Sequence, residues 1–148
     1  LYMVMKNTLN YIFRIKKMKN EEQARNHYNS YMMDMWKKSP PSSLFFLISL
    51  NDERVGIIST STLVSSDEIM IGYVTEQSKA NKGIATNALK IIVQLLKQMK
   101  DNNTYNYSKL SLWIFDENVS SIKVAKRNGF ELSEKNYDQQ LSKYTLNL

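Results

Sequence analysis

Cysteine is absent from this chain of 148 residues. Its absence excludes disulfides, zinc sites with thiolate ligands and a covalent acyl-cysteine intermediate. Histidine is almost absent as well. The single histidine, His27, has no sequence neighbour that completes a metal site or a nucleophile pair, so we assign it no chemical role. No metal centre is predicted.

Long apolar runs are also missing. The longest, Leu44–Ile48, has five residues, whereas a membrane-spanning helix needs about 18. A signal peptide is not predicted, because Lys6 and Arg14 interrupt the N-terminal apolar stretches. Leu1 rather than methionine stands first, which leaves open whether the N-terminus is native and complete. We therefore expect a soluble, cytoplasmic protein without a membrane partner.

The length of the chain suits one domain with one core, so residues 1–148 are predicted to form a single domain. A net charge of +6 favours anionic partners, which include nucleic acid, a membrane surface and a phosphate-rich cofactor. The lysines are scattered along the chain, and no long arginine-rich block is present. Charge alone therefore does not choose among these partners.

Hydrophobic periodicity predicts an α+β fold, a mixed sheet with helices on its faces. A first helix follows Asn20, and Pro40–Pro41 breaks the chain after it. The further predicted elements, in order, are three antiparallel strands, a helix, a strand, a short helix and two weaker strands: Leu44–Leu50, Arg54–Thr60, Glu68–Val74, Gly83–Met99, Lys109–Phe115, Asn118–Arg127, Phe130–Leu132 and Lys143–Leu146.

One junction between a strand and a helix carries the first chemical signal. A loop with Asn81 and Lys82 leads from the third strand to Gly83, where the long helix begins at once. The first turn of such a helix has backbone N–H groups without internal partners, and its dipole favours negative charge. The segment is therefore predicted to bind phosphate through main chain. It has neither the P-loop nor the three-glycine dinucleotide pattern.

A second signal lies at the start of the short helix. Asn118 is predicted to cap that helix, with Ser121 in its first turn and Asn128-Gly129 as its stop. The Asn118 amide is equally suited to hydrogen-bond an amide-rich ligand that passes the helix.

With both signals in register, the sequence resembles the GNAT superfamily of N-acetyltransferases, and specifically its RimJ/RimL-type branch. The resemblance spans residues 44–135. The matching positions are Ile71-Gly72-Tyr73, Lys82-Gly83-Ile84-Ala85-Thr86, Ala88-Leu89-Lys90, Asn118, Ser121 and Gly129-Phe130.

The chain departs from the family pattern at three places. Ala80 stands where a glutamine or arginine is usual, and Asn81 takes the usual second glycine position. Ala125 replaces a tyrosine that is common in other branches. The N-terminal strand-helix segment is also shorter than the family's.

The resemblance implies a central, mostly antiparallel sheet that splays at the cofactor site, with helices on both faces. Acetyl-CoA is expected in the gap between the strands Glu68–Thr75 and Lys109–Phe115. Its pantetheine arm is expected along Val74 and Thr75, with Asn118 beside it. The pyrophosphate is expected on the backbone N–H groups of Asn81, Lys82, Gly83, Ile84, Ala85 and Thr86.

The resemblance further implies direct attack of a neutral amine on the thioester, without a metal. Glu68 is the candidate general base, acting directly or through water, and Glu76 is the second candidate. A backbone N–H near Val74 is expected to hold the oxygen of the tetrahedral intermediate. Ser121 is the candidate donor to the departing sulfur.

The acceptor is expected to be a primary amine, on a protein N-terminus or a small molecule. Ala80 and the short N-terminal segment favour an alternative, a non-catalytic acyl-CoA-binding protein of the same fold. A basic nucleic-acid-binding module is a weaker alternative, supported only by Tyr11, Phe13 and Arg14 with Lys16–Lys17. The oligomeric state stays open, a homodimer included.

Overall fold

A computed structural model describes Glu22, Asn26, Lys37 and residues 43–62, 67–104 and 106–148. The helix predicted after Asn20 lies almost entirely outside these residues. His27 and the basic and aromatic residues between Tyr11 and Lys17 also lie outside them.

From Ser43 onward, the described residues form six strands and two α-helices. They are β1 (Ser43–Leu50), β2 (Glu53–Thr62), β3 (Glu68–Thr75), α1 (Ile84–Asp101), β4 (Lys109–Phe115), α2 (Val119–Arg127), β5 (Glu131–Asn136) and β6 (Leu141–Asn147). A short 3₁₀ helix, Gln77–Lys79, lies between β3 and α1. Each element predicted from Leu44 onward is confirmed, and the last two strands are longer than predicted.

The prediction that Phe130 begins a strand was wrong. This residue belongs to the turn after α2 and not to β5, because its N–H donates to the Ala125 carbonyl while the Gly129 N–H donates to Lys126. Gly129 adopts a φ of 82°, as this helix-ending motif requires. The turn places the Phe130 ring in the core, where it is 1% exposed.

The strands form one mixed sheet in the order β1-β2-β3-β4-β6-β5. Every neighbouring pair is antiparallel except β3 and β4, which run parallel and are joined by α1. β4 lies inside the sheet, as its uninterrupted apolar run predicted. The architecture is therefore the α+β class with a mostly antiparallel sheet.

The core lies between α1 and the middle of the sheet. Apolar residues recur along one side of α1 at helical spacing, and Leu89 and Leu96 are fully buried there. They belong to one cluster with Ile71 of β3 and Leu112 of β4. Burying each such side chain contributes about 1.5–3 kcal/mol. The cluster fixes the two parallel strands relative to the helix that connects them.

Candidate functional site

The two parallel strands at the centre of the sheet are paired over only part of their length. β3 and β4 match at three positions, Glu68 with Lys109, Ile69 with Leu110, and Met70 with Ser111. Beyond them β3 continues to Thr75 and β4 to Phe115, without pairing to each other. The sheet is therefore split between its third and fourth strands.

Each of the two strands that border the split is paired with another strand on its outer side. β3 stays paired with β2 as far as Thr75, which matches Gly56. β4 stays paired with β6 as far as Phe115, which matches Leu141. Because β3 has no strand partner on its inner edge beyond Met70, an extended amide chain can pair there as an added strand. The opening is thus a slot with a rigid backbone edge.

The start of α1 lies just after the end of β3. Gly83 is the N-cap residue and lies in the left-handed region with φ 74°, and Asn81 in the same loop has φ 61°. No side chain caps the helix, and no acidic residue occupies its first turn. The first N–H groups of α1, on Ile84, Ala85 and Thr86, therefore have no intrahelical partner and carry the positive end of the helix dipole.

Gly83 is needed for backbone conformation and leaves space open beside the helix start. A Cβ atom there would meet only Asn87 Nδ2, at 4.0 Å. Packing therefore does not exclude a side chain, whereas the positive φ disfavours one. A diphosphate fits such a place, because it offers backbone donors, positive potential and room without a competing carboxylate.

The start of α2 confirms the predicted cap. Asn118 Oδ1 accepts hydrogen bonds from the Ser121 N–H, at 3.1 Å, and from Ser120 Oγ, at 2.8 Å. The amide oxygen is thus used within the helix, while Nδ2 keeps two protons to donate to a ligand. Asn118 is half-buried, so a ligand in the slot can reach it.

The end of α2 is tied to the start of α1. Asn128 Nδ2 donates to the Thr86 carbonyl at 3.3 Å and to the Val124 carbonyl at 2.9 Å. The sequence indicated Asn128 only as part of a helix stop. Its contact with Thr86 ties the end of α2 to the first turn of α1, where the phosphate site is predicted.

Glu68 lies at the paired end of β3, not in the split. It is 8% exposed, and both carboxylate oxygens accept hydrogen bonds. Ser111 Oγ donates to Oε1 at 2.6 Å, and the Lys143 ammonium donates to Oε2 at 2.8 Å. The Lys143 ammonium also lies 5.6 Å from the centre of the Trp113 ring. Sequence reasoning missed Ser111 and Lys143, which come from β4 and β6.

Glu76 and Ser121 lie at other points around the slot. Glu76 follows β3 directly, and its carboxylate accepts a hydrogen bond from Ser78 Oγ at 3.3 Å. Ser121 lies in the first turn of α2. The two candidate catalytic residues, Glu68 and Ser121, share no hydrogen bond with each other in this structure.

Tyr73 reaches from β3 to α2 across this region. Its hydroxyl donates to the Ser121 carbonyl at 3.5 Å. Burial raises the pKa of Tyr73 above its ordinary value of 10.0, and the contact with Ser121 opposes part of that shift. The tyrosine therefore stays protonated near neutral pH. Its place in the Ile71-Gly72-Tyr73 motif was the only sequence signal for it.

Gly56 lets β2 approach Val74 closely. A Cβ atom at Gly56 would lie 2.4 Å from the Val74 carbonyl oxygen and 3.1 Å from Thr75 Cα. Any larger residue at position 56 must therefore displace the β3 edge where the added amide chain is expected. This dependence was missed in the sequence, because it arises only from the register of β2 and β3.

Two further findings concern the residues that the structure describes. No helix among them is both long and apolar enough to cross a membrane. No group of three or more His, Cys, Asp or Glu side chains in the same residues is arranged to hold a metal ion.

Comparison with known proteins identifies the family. The model of the acetyltransferase (GNAT) domain family matches residues 4–131. A comparison with curated protein sequences gave no match. A domain from Methanocaldococcus jannaschii is similar in structure, with a TM-score of 0.67 and 22% identity over 92% of this chain and 81% of that chain.

Two further solved structures share the fold. Mycobacterium smegmatis RimJ in complex with CoA-disulfide has a TM-score of 0.66 and 18% identity, over 89% of this chain and 68% of that chain. Campylobacter jejuni N-acetyltransferase PseH has a TM-score of 0.60 and 15% identity, over 87% of this chain and 83% of that chain. Since the family model covers most of the sequence, this chain belongs to the acetyltransferase (GNAT) domain family.

Proposed function

We propose that this chain is an N-acetyltransferase of the RimJ/RimL type, which transfers an acetyl group from acetyl-CoA to a primary amine. One observation carries the proposal: the split between β3 and β4 opens beside the uncapped start of α1. An extended amide chain that ends in a diphosphate matches these two features together, and coenzyme A is such a molecule.

In this proposal the chain binds coenzyme A mainly through its backbone. The N–H groups from Asn81 to Thr86 hold the pyrophosphate, and the exposed Lys82 adds positive charge at the rim. The β3 edge at Val74 and Thr75 pairs with the pantetheine arm, and Asn118 Nδ2 donates to it. The CoA-disulfide in the similar RimJ structure supports this assignment.

The proposed reaction is direct transfer. The neutral amine nitrogen forms a bond to the thioester carbon, and a backbone N–H near Val74 stabilises the negative charge on the oxygen. The C–S bond then breaks, the nitrogen loses a proton, and the sulfur gains one. Ser121, in the first turn of α2, is the donor that the sequence suggested.

Glu68 is the base suggested by the sequence, and its contacts restrict how it can act. Because Ser111 and Lys143 occupy both of its oxygens, Glu68 would take a proton only through Ser111 or water. Glu76, at the end of β3, is the second candidate.

A peptide α-amine has a pKa near 8 and is roughly 10% neutral at pH 7, whereas a lysine-type amine is below about 0.1% neutral. A protein N-terminus therefore needs the least help and is the preferred acceptor class.

Two measurements on the purified chain test the proposal. Saturating coenzyme A should raise the melting temperature, since it binds only the folded state. Free thiol should then be released from acetyl-CoA when peptides with free α-amines or small amines are added. A rise in melting temperature without thiol release across the amine panel would instead support the non-catalytic acyl-CoA-binding protein. If coenzyme A does not raise the melting temperature, both the acetyltransferase and the non-catalytic acyl-CoA-binding protein are rejected.

The candidate bases are separated by conservative variants. If Glu68 is the base, E68Q lowers kcat and removes the acidic limb of the pH–rate profile, while E76Q leaves both unchanged. The reverse pattern would assign the base to Glu76. If wild type, E68Q and E76Q have the same pH–rate profile, neither glutamate is the base and the acceptor amine loses its proton to solvent.

A further inference from the structure

Asn128 is followed by Gly129, and no other asparagine of the chain precedes a glycine. The backbone nitrogen of a residue that follows asparagine can attack the side-chain amide carbon and close a five-membered ring. Glycine has no Cβ atom to shield this nitrogen, and it gives the backbone the freedom that ring closure requires. On sequence grounds, Asn128 is therefore the asparagine of this chain that is most open to such an attack.

The side chain of Asn128 also joins the end of α2 to the start of α1. Its Nδ2 group donates to the Val124 carbonyl at 2.9 Å and to the Thr86 carbonyl at 3.3 Å. Val124 belongs to α2 itself, whereas Thr86 lies in the first turn of α1. Both amide protons are therefore used, and one of them reaches the helix turn where the diphosphate is proposed to bind.

The same contacts oppose the attack while the chain is folded. The attacking Gly129 nitrogen carries the N–H that donates to the Lys126 carbonyl at 3.1 Å. Ring closure requires this N–H to leave its acceptor, and it requires the Asn128 side chain to turn away from Thr86 and Val124. The end of α2 must therefore separate from the start of α1 before the reaction can occur, which is a local opening of the fold.

We propose that Asn128 is a site of spontaneous deamidation, and that its conversion to aspartate or isoaspartate weakens the coenzyme A site. The inference rests on the coenzyme A binding proposed above. In the reaction, the Gly129 nitrogen forms a bond to Asn128 Cγ and gives its proton to water. The Cγ–Nδ2 bond breaks, the nitrogen gains a proton and leaves as ammonia, and a succinimide ring remains. Water then opens the ring at either of its two carbonyl groups.

The product replaces two hydrogen-bond donors by a negative charge. A carboxylate oxygen in the place of Nδ2 faces the carbonyl oxygens of Val124, at 2.9 Å, and Thr86, at 3.3 Å, with no proton between them. The charge also lies at the C-terminal end of α2, where the helix dipole disfavours it. It lies beside the first turn of α1, which has no acidic residue of its own, and repels a diphosphate there. Deamidation should therefore lower both stability and affinity for coenzyme A.

The first experiment follows deamidation of the wild-type chain by mass spectrometry of its peptides, at mildly alkaline pH, with and without coenzyme A. Without coenzyme A, Asn128 should be the first asparagine to be modified. Asn103, which is exposed and precedes a threonine, is the internal control. Because the opening at Asn128 disturbs the start of α1, coenzyme A at about ten times its dissociation constant should slow deamidation there about tenfold. The rate at Asn103 should not change.

The second experiment uses N128D, which introduces the carboxylate directly. Its melting temperature should be lower than that of wild type, and its dissociation constant for coenzyme A should be at least about threefold higher. N136D is the matched control, because Asn136 is also half-buried but lies at the end of the edge strand β5. It adds the same charge away from the start of α1, so its affinity for coenzyme A should equal that of wild type.

The outcomes separate this inference from the proposed function. If coenzyme A raises the melting temperature of wild type but leaves the deamidation rate at Asn128 unchanged, the inference fails and the coenzyme A site stands. The inference also fails if N128D binds coenzyme A as tightly as wild type, or if Asn128 stays intact after Asn103 has been modified. If coenzyme A does not raise the melting temperature of wild type, the proposed function itself has failed, and the inference fails with it.

Discussion

The two ends of the β3–β4 pair are built in opposite ways. At the closed end, Glu68–Met70 and Lys109–Ser111 are paired, and side chains reinforce the backbone bonds. Asp67 accepts from Ser108, and Glu68 accepts from both Ser111 and Lys143. At the open end, Ile71–Thr75 and Leu112–Phe115 do not pair with each other.

The contrast explains how one sheet can carry an unpaired edge in its middle. A buried strand edge without partners costs free energy, so the strands must be held apart by other contacts. Here β2 and β6 hold the outer sides, and the closed end fixes where the separation starts. Stability should therefore depend on the closed end and cofactor affinity on the open end.

The largest expected effect is a loss of stability from E68A at the closed end. The variant leaves the Lys143 ammonium, whose side chain is 18% exposed, without its carboxylate partner. Breaking a buried ion pair on one side costs about 3 kcal/mol. That loss corresponds to a melting temperature about 10 °C lower, measurable by thermal and urea unfolding.

The matched control removes both charges. Glu68→Met combined with Lys143→Met replaces the pair by apolar side chains of similar length, and its stability should lie within about 1 kcal/mol of wild type. If E68A alone is as stable as the double variant, the ion pair does not hold the closed end.

The second-largest expected effect is a loss of affinity for coenzyme A at the open end, caused by G83N. In G83N, asparagine tolerates the left-handed conformation of Gly83 and fills the open space beside the helix start. Folding stability should change by less than about 1 kcal/mol. The dissociation constant for coenzyme A should rise at least tenfold, or about 1.4 kcal/mol, as measured by calorimetry.

G129N is the matched control for that variant. Gly129 also has a positive φ, of 82°, but it lies at the far end of α2, beside Leu146. The same substitution there should leave the affinity for coenzyme A unchanged. Equal losses of affinity in G83N and G129N would show that the effect is general and not local to the start of α1.

The sequence predicted the features that depend on neighbouring residues. The 3.6-residue periodicity identified α1, the uninterrupted apolar run identified β4 as an interior strand, and Asn118 was predicted as a cap from its position alone. The split was also predicted, but only through the resemblance to a family. No local pattern shows that two strands part after three paired residues.

The missed features depend on residues far apart in the chain. Lys143 meets Glu68 across 75 positions, and Asn128 meets Thr86 across 42. Such contacts follow from strand order and register, which one sequence does not fix. Glu68 was predicted as a candidate base on the strand beside the slot, without the two partners that the structure gives its buried carboxylate.

The third-largest expected effect distinguishes two roles of Asn118, as the cap of α2 and as a hydrogen-bond donor to coenzyme A at the open end. N118A loses the cap of α2 and should cost about 1 kcal/mol of stability. N118D keeps an oxygen that can accept from the Ser121 N–H but removes the Nδ2 donor. Its stability should match wild type while its affinity for coenzyme A falls about fivefold, close to one hydrogen bond. If N118D binds coenzyme A as wild type does, Asn118 serves only as a cap.

The smallest effect concerns Asp67, at the outer edge of the closed end. The Ser108 hydroxyl holds the pKa of this carboxyl below its ordinary value of 3.8; desolvation opposes the shift, and the Lys109 charge supports it. A carboxyl with a lowered pKa in the folded state stabilises the protein above the ordinary pKa, and that contribution is lost as pH falls through the folded value. Melting temperatures between about pH 2 and pH 7 should therefore drop less steeply below pH 3.8 in D67N than in wild type.

S108A should reduce this acid slope in the same way, because it removes the main cause of the pKa shift while leaving the Asp67 carboxylate in place. If the acid slope of S108A equals that of wild type, the contact between Asp67 and Ser108 contributes nothing to holding the two strands together.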